Sequence, residues 1–168
     1  MPALLRHALR GAPATPARIV HDGAGAPLLQ DSEGDPLPWL PSVSHSAEAC
    51  GLILSAGERP GLDTEPASRP LRTSALLRRV ASAASAARIA ALSPPESRAE
   101  LLRRWTRVEA VLKATGAGFG ALAEIDVEEV ASGGGVAWRH RQLQVLSWRW
   151  GGQCWSLACD AALVRAQG

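Results

Sequence analysis

Ser93-Pro94-Pro95-Glu96-Ser97-Arg98-Ala99-Glu100-Leu101-Leu102-Arg103-Arg104-Trp105-Thr106-Arg107-Val108-Glu109-Ala110-Val111-Leu112-Lys113-Ala114-Thr115-Gly116-Ala117-Gly118 is the stretch around which the rest of the chain is organised. A serine followed three residues later by glutamate, with proline between, marks a helix start. The two side chains satisfy first-turn amides that have no partner inside the helix. Glycine at 116 and 118 stops it, because glycine accepts the left-handed conformation that closes a helix. The pattern predicts one helix from the Ser93–Glu96 signal to about Thr115.

Working outward, Ser74 to Leu92 places Leu76, Leu77, Val80, Ala84 and Ala87 at helical spacing, which predicts a second helix after a break at Pro66–Pro70. Downstream, Ala123–Val130, Gln142–Trp150 and Cys154–Cys159 read as three antiparallel strands, with Gly133-Gly134-Gly135 and Gly151-Gly152 as turns. Upstream, Ala49–Ser55 and Pro60–Glu65 flank Ala56-Gly57-Glu58-Arg59 as a hairpin. Gly11 to Pro41 reads as loops with edge strands at Ile19–Val20 and Leu28–Leu29. At the N-terminus, Leu4, Leu5, Ala8 and Leu9 share a face of a short docked helix, with no continuous apolar run of the signal-peptide kind. Helices and antiparallel strands in separate runs define an α+β class. No tandem repeat is present at the sequence level.

Composition narrows the function classes. The 168 residues are 46% hydrophobic and 20% charged, the balance of a folded domain able to bury a core. No run approaches the roughly 18 apolar residues of a membrane span. A net charge of +2 does not by itself point to nucleic acid. The three cysteines, Cys50, Cys154 and Cys159, lack metal spacing and read as reduced, buried thiols of a cytoplasmic protein. Of the 18 basic residues only Lys113 is lysine, which singles out that position.

The residues able to do chemistry are few. Asp63 and Glu65 sit two apart on an expected strand, so both carboxylates face one way, as a Mg²⁺ site requires and as two solvated acids would also do. Glu109 and Lys113 are four apart on the expected helix, the spacing of an ordinary surface ion pair, yet their neighbours are mostly apolar. His45 lies between Ser44 and Ser46 in an expected turn and reads either as a phosphate contact or as a structural histidine. His7, His21 and His140 carry no partner pattern. Lys113 belongs to no GxxxxGK[ST] loop, and Gly116-Ala117-Gly118-Phe119-Gly120 follows a helix, which excludes the dinucleotide fingerprint. Trp148, Trp150 and Trp155 read as core residues of the last strands, since few basic residues surround them.

Taken in order, three segments resemble the Sfp-type 4′-phosphopantetheinyl transferase family. Pro41-Ser42-Val43-Ser44-His45-Ser46 is similar to the family's N-[IVL]-S-H-S segment, and Gly61-Leu62-Asp63-Thr64-Glu65 to its G-[IVL]-D-[IVL]-E strand. Trp105 to Gly118 is similar to W-[ST]-x-K-E-A-x-x-K-x-x-G-x-G. The resemblance implies a fold of two pseudo-symmetric α+β halves, 1–70 and 71–168, the first one shortened, with the site in the cleft between them. It implies transfer of phosphopantetheine from coenzyme A to a serine of an acyl or peptidyl carrier protein. Asp63, Glu65 and Glu109 would hold Mg²⁺, and Glu109 would take the serine proton. Lys113 would steady the pyrophosphate, and Ser44 and His45 would contact coenzyme A phosphates.

Val108 stands where the motif has a lysine, Ala26 where a basic residue is common, and Ser42 where asparagine is usual. The segment before His45 is short, so Arg6, Arg10 or Arg18 become candidates to replace missing cations, and a homodimer or a tight complex with a partner becomes the expected way to cover an exposed sheet edge. These departures leave a second reading, a degenerate relative that binds a carrier protein or another partner without turnover.

Overall fold

The structure, a computed structural model, describes residues 17–23 and 25–161. The docked helix expected around Leu4 to Leu9 lies outside the described residues, as do Arg6 and Arg10. In chain order the elements are β1 (Arg18–His21), β2 (Pro27–Gln30), β3 (Leu40–His45), β4 (Cys50–Ser55), β5 (Gly61–Pro66), α1 (Thr73–Val80), α2 (Ala83–Ala90), α3 (Pro94–Thr115), a 3₁₀ segment (Phe119–Glu124), α4 (Val127–Ser132), β6 (Gly134–Trp138), β7 (Arg141–Trp150) and β8 (Gln153–Asp160). The fold is α+β. β1–β2 and β3–β4 are two-stranded antiparallel ribbons, and β5-β8-β7-β6 is a four-stranded antiparallel sheet. Among the described residues no helix is long and apolar enough to cross a membrane.

α3 keeps both ends that its sequence dictates. Ser93 and Glu96 form the capping box, and Gly116 closes the helix at φ 66°. Its inner face buries Leu101, Val108 and Val111 against Leu143, Val145 and Ala158 of the sheet, which is the centre of the core. Val108 is 1% exposed. The position where the motif carries lysine is therefore part of the core in this chain, and not a vacant place in the site.

Gly61 lets β5 approach α3. A Cβ built there would lie 1.8 Å from the Ala110 carbonyl oxygen and 2.6 Å from the Ala114 nitrogen, both backbone atoms that cannot rotate away. The same geometry fixes orientation, because Gly61, Asp63 and Glu65 alternate onto the face turned to α3. Gly61→Ala is expected to lose about 3 kcal/mol of stability by overpacking. An open strand position would instead gain a few tenths to 1 kcal/mol from reduced chain entropy, so the sign of the shift in a urea midpoint decides.

Several expectations are corrected. The helix expected over Ser74–Leu92 is two helices. Ser82 caps α2 by accepting the Ser85 N–H, and Glu128 takes the Ser82 N–H and the Ser85 hydroxyl, each at 2.7 Å. The strand expected at Ala123–Val130 is a 3₁₀ segment followed by α4, because the Asp126 side chain caps the Glu128 and Glu129 amides. The third strand is β6, and the glycines at 134 and 135 lie inside it rather than in a turn.

The expected β4–β5 hairpin is not formed. β4 pairs with β3, and β5 pairs with β8. Ser44 and His45 belong to β3 and not to a turn. On the other edge of β5, the Ser42 hydroxyl accepts the Leu62 N–H at 2.9 Å and the Ser44 hydroxyl the Thr64 N–H at 3.0 Å. Serine side chains thus satisfy amides that a strand ladder would otherwise take.

Trp155 is buried as expected, but Trp148 and Trp150 are 43% and 72% exposed. The β3–β4 ribbon reaches Leu62 and Trp155 through Gly51, while the face of β7 carrying Leu146, Trp148 and Trp150 stays open. Cys154 and Cys159 are buried, whereas Cys50, at the start of β4, is exposed; all three are free thiols.

Candidate functional site

The paired acids of β5 meet the helix residues where β5 crosses α3. Lys113 donates to Asp63 Oδ1 at 2.8 Å, to the Leu62 carbonyl at 2.9 Å and to Ser44 Oγ at 3.3 Å. Ser44 in turn donates to the same Asp63 oxygen at 3.2 Å. The ion pair of Lys113 is therefore with Asp63 and not with its helix neighbour Glu109. The Ser44 hydroxyl is used up, since it gives its one hydrogen and accepts from Thr64 and Lys113. Its place in the network makes Ser44 a positioning residue for Asp63 and Lys113.

Asp63 is 5% exposed. Burial holds its carboxyl above the ordinary aspartate range, outweighing the opposing Lys113 charge and the hydrogen bonds from Lys113 and Ser44. Its second oxygen, Oδ2, is buried with no hydrogen-bond partner. An orphaned buried carboxylate oxygen is costly, and a cation is the natural partner for it. Glu65 shares the strand face, and its carboxylate is held by Arg69.

Glu109 is half-buried, and its carboxyl is raised to about 7, first by burial and then by the negative charge of Asp63. This shift has a consequence for stability. A glutamate that titrates near 4.5 when unfolded and near 7 when folded binds more protons in the folded state between those values. Its contribution is fully present below about pH 4.5 and is lost as pH rises toward 7. In metal-free buffer, Glu109→Gln is expected to flatten that part of the stability–pH curve. An unchanged slope in urea titrations across the window removes the assignment.

Glu109 and Lys113 also line a cleft of about 500 Å³ between α3 and the N-terminal ribbons. His45 lines it too, from the exposed end of β3. Apolar walls come from Ile19, Leu112 and Phe119, the last stacked on Trp105 at 6.0 Å. The structure thus brings Asp63, Lys113 and Ser44 into direct contact and sets Glu109 and His45 on the adjoining cleft. Glu65 lies beside them on β5 without lining the cleft.

Two cleft residues escaped the sequence reading. His21 ends a short strand and Arg59 stands in what reads as a hairpin turn, and both line the cleft. Neither carries a local signal. Only the pairing of β1 with β2 and the start of β5 bring them there. Arg18, a candidate replacement cation, does not line the cleft, and its guanidinium lies instead near Gly34.

A divalent cation suits Asp63 Oδ2, a buried carboxylate oxygen without a partner that the charge of Lys113 alone does not bring into the ordinary range. Asp63, Glu65 and Glu109 are not gathered into one ligand cluster: among the described residues, the acids whose oxygens lie within 4.8 Å of one another are Asp31, Glu33 and Asp35. A search of curated proteins returns no match for the chain. The family model described as the 4′-phosphopantetheinyl transferase superfamily matches residues 59–160, which include β5, α3 and the whole C-terminal sheet. With more than half of its length matched, the chain belongs to the 4′-phosphopantetheinyl transferase superfamily.

Proposed function

We propose that the chain transfers 4′-phosphopantetheine from coenzyme A to the serine hydroxyl of an acyl or peptidyl carrier protein. The observation that carries this reading is the convergence of Asp63, Glu109 and Lys113 beside one cleft, with Asp63 Oδ2 buried and unpartnered. Membership of the superfamily supplies the reaction class.

Asp63, Glu65 and Glu109 would hold Mg²⁺, which neutralises diphosphate oxygens when bound. The remaining steps fall to the chain itself. The serine oxygen attacks the pantetheine-side phosphorus, the anhydride bond breaks, and adenosine 3′,5′-bisphosphate leaves with the bridging oxygen. Glu109 takes the serine proton, as the carboxylate that lines the cleft. Lys113 places its charge where the leaving phosphate gathers negative charge, a task of position and electrostatics more than of covalent chemistry. His45 approaches the phosphates from β3, while Ser44 holds Asp63 and Lys113 in place.

Intact-protein mass spectrometry with coenzyme A, Mg²⁺ and a panel of carrier proteins tests the reading. The expected result is one phosphopantetheine added to at least one carrier, dependent on Mg²⁺. A folded chain that modifies no carrier in the panel overturns turnover.

A further inference from the structure

Arg141 does not line the cleft, yet it ties together the two elements that carry the site. It opens β7 just after the two-residue turn Arg139-His140, in which Arg139 takes a left-handed φ of 51°. Its side chain is 10% exposed. One guanidinium N–H goes to the Ala114 carbonyl at 2.7 Å and another to the Arg59 carbonyl at 3.1 Å. The remaining nitrogen, Nε, is buried without a hydrogen bond and faces the Glu58 carboxylate at 3.5 Å.

Both carbonyls flank the β5–α3 crossing. Ala114 follows Lys113 in the last turn of α3, where carbonyls have no partner within the helix. Arg59 precedes Gly61 by two residues, and Gly61 is where β5 lies against the Ala110 carbonyl and the Ala114 nitrogen. β5 thus packs on the nitrogen of Ala114 while Arg141 holds its carbonyl. Immediately beyond Gly61, the Leu62 carbonyl and the Asp63 carboxylate accept Lys113 at 2.9 Å and 2.8 Å.

A flat fork suits this place. Its divergent donors reach carbonyls on two separate elements, which a lysine ammonium on the same stem does not do at once. Burying a guanidinium is costly, and packing alone would be served by an apolar side chain. What the fork adds is a fixed separation between the end of α3 and the entry to β5. Lys113 depends on that separation, since two of its three acceptors belong to β5.

We propose that Arg141 is a positioning residue for the transfer: it sets the β5–α3 crossing at which Lys113 meets Asp63, and hydrogen-bonds to neither side chain. Its effect on rate rests on the transferase reading above.

Two double-mutant cycles between Arg141 and Lys113 test this role. In urea unfolding, without substrate or metal, Arg141→Gln is expected to raise the unfolding constant about tenfold or more. In the Lys113→Ala background that increase should shrink by about threefold or more, because the bonds that the clasp aligns are gone. In carrier modification, Arg141→Gln should lower kcat of the folded enzyme about tenfold and leave KM for coenzyme A within about twofold. With Lys113→Ala already present, it should cost no further rate. Arg141→Lys, which reaches one carbonyl, should keep part of the wild-type kcat, and it carries the same comparisons if Arg141→Gln does not fold. A residue that only stabilises the fold would act independently of Lys113. Additive effects in urea, or a kcat unchanged by loss of Arg141, therefore overturn the positioning role and leave the transferase reading standing. A wild type that modifies no carrier overturns that reading, and the urea cycle then decides the clasp alone.

Discussion

Asp63→Asn is expected to lower carrier-protein modification about a thousandfold while the chain keeps its fold. The two effects separate because the charge of Asp63 works against stability. Its carboxyl is raised by burial, so the folded protein holds the ionised form at a cost, and a neutral group of the same shape relieves it. Asparagine also preserves an oxygen for the Ser44 hydroxyl, which donates to Asp63 at 3.2 Å. The cost of leaving Lys113 without its partner is moderate, because a third of its side chain is exposed and water takes up the charge. For catalysis there is no such compensation. The unpartnered oxygen Oδ2 loses its charge, and removal of one placed charge at a phosphoryl-transfer site costs about 2.7–4 kcal/mol in the barrier. Initial rates beside urea unfolding curves read both quantities. A rate within about tenfold of wild type would sink the assignment of Asp63. Asp63→Ala is the poorer test, since it also empties the space around Ser44 and Lys113.

The elements that were legible in the sequence carry their own boundaries. α3 could be read to within a residue because Ser93, Glu96 and Gly116 act on the backbone next to them. β7 and β8 were legible for the same reason, with Gly151 and Gly152 adopting the positive φ that their tight turn requires. What was lost depends on distant partners. The break between α1 and α2 has a local cap in Ser82, but one serine in an alanine-rich run does not mark a boundary, and the contact that reinforces it comes from Glu128, 46 positions beyond. The pairing of β5 with β8 competes with a local hairpin that the turn Ala56-Gly57-Glu58-Arg59 makes plausible. It wins because β8 is the edge of a sheet already packed on α3, and because β3 offers serine hydroxyls to the other edge of β5. For α4 the signal was present in Asp126, Glu128 and Glu129, but the apolar alternation around it suggested a strand.

The candidate site divides along the same line. Two-residue spacing was enough to put Asp63 and Glu65 on one face, since strand geometry guarantees it. Spacing alone paired Lys113 with Glu109, because those two are neighbours on a helix. The partner in space is Asp63, and only the close crossing at Gly61 brings β5 near enough for that. Burial, invisible in the sequence, then changes the chemistry of both acids and raises Glu109 to about 7. Arg59 and His21 likewise reach the cleft through distant pairing and are silent by local pattern.

Lys113→Arg is expected to slow carrier modification by about a hundredfold to a thousandfold and to lower the urea midpoint as well. The reason is geometric. The lysine ammonium has three hydrogens and meets three acceptors, Asp63 Oδ1, the Leu62 carbonyl and Ser44 Oγ. Those acceptors converge on a point. A guanidinium is a flat fork whose donors diverge, so it satisfies one or two of them and displaces the rest. The Leu62 carbonyl matters here because it has no rotamer with which to adapt. A surface ion pair would behave otherwise: arginine would keep the charge, and the exchange would cost about 0–1 kcal/mol at most. Lys113→Ala removes the charge altogether and sets the lower limit of rate. The informative comparison is between the two variants. If arginine performs like lysine in both rate and midpoint, the convergent bonds are incidental and positive charge alone is required. If arginine performs like alanine in rate, the position demands a compact ammonium, which accounts for the one lysine in a chain otherwise supplied with arginine.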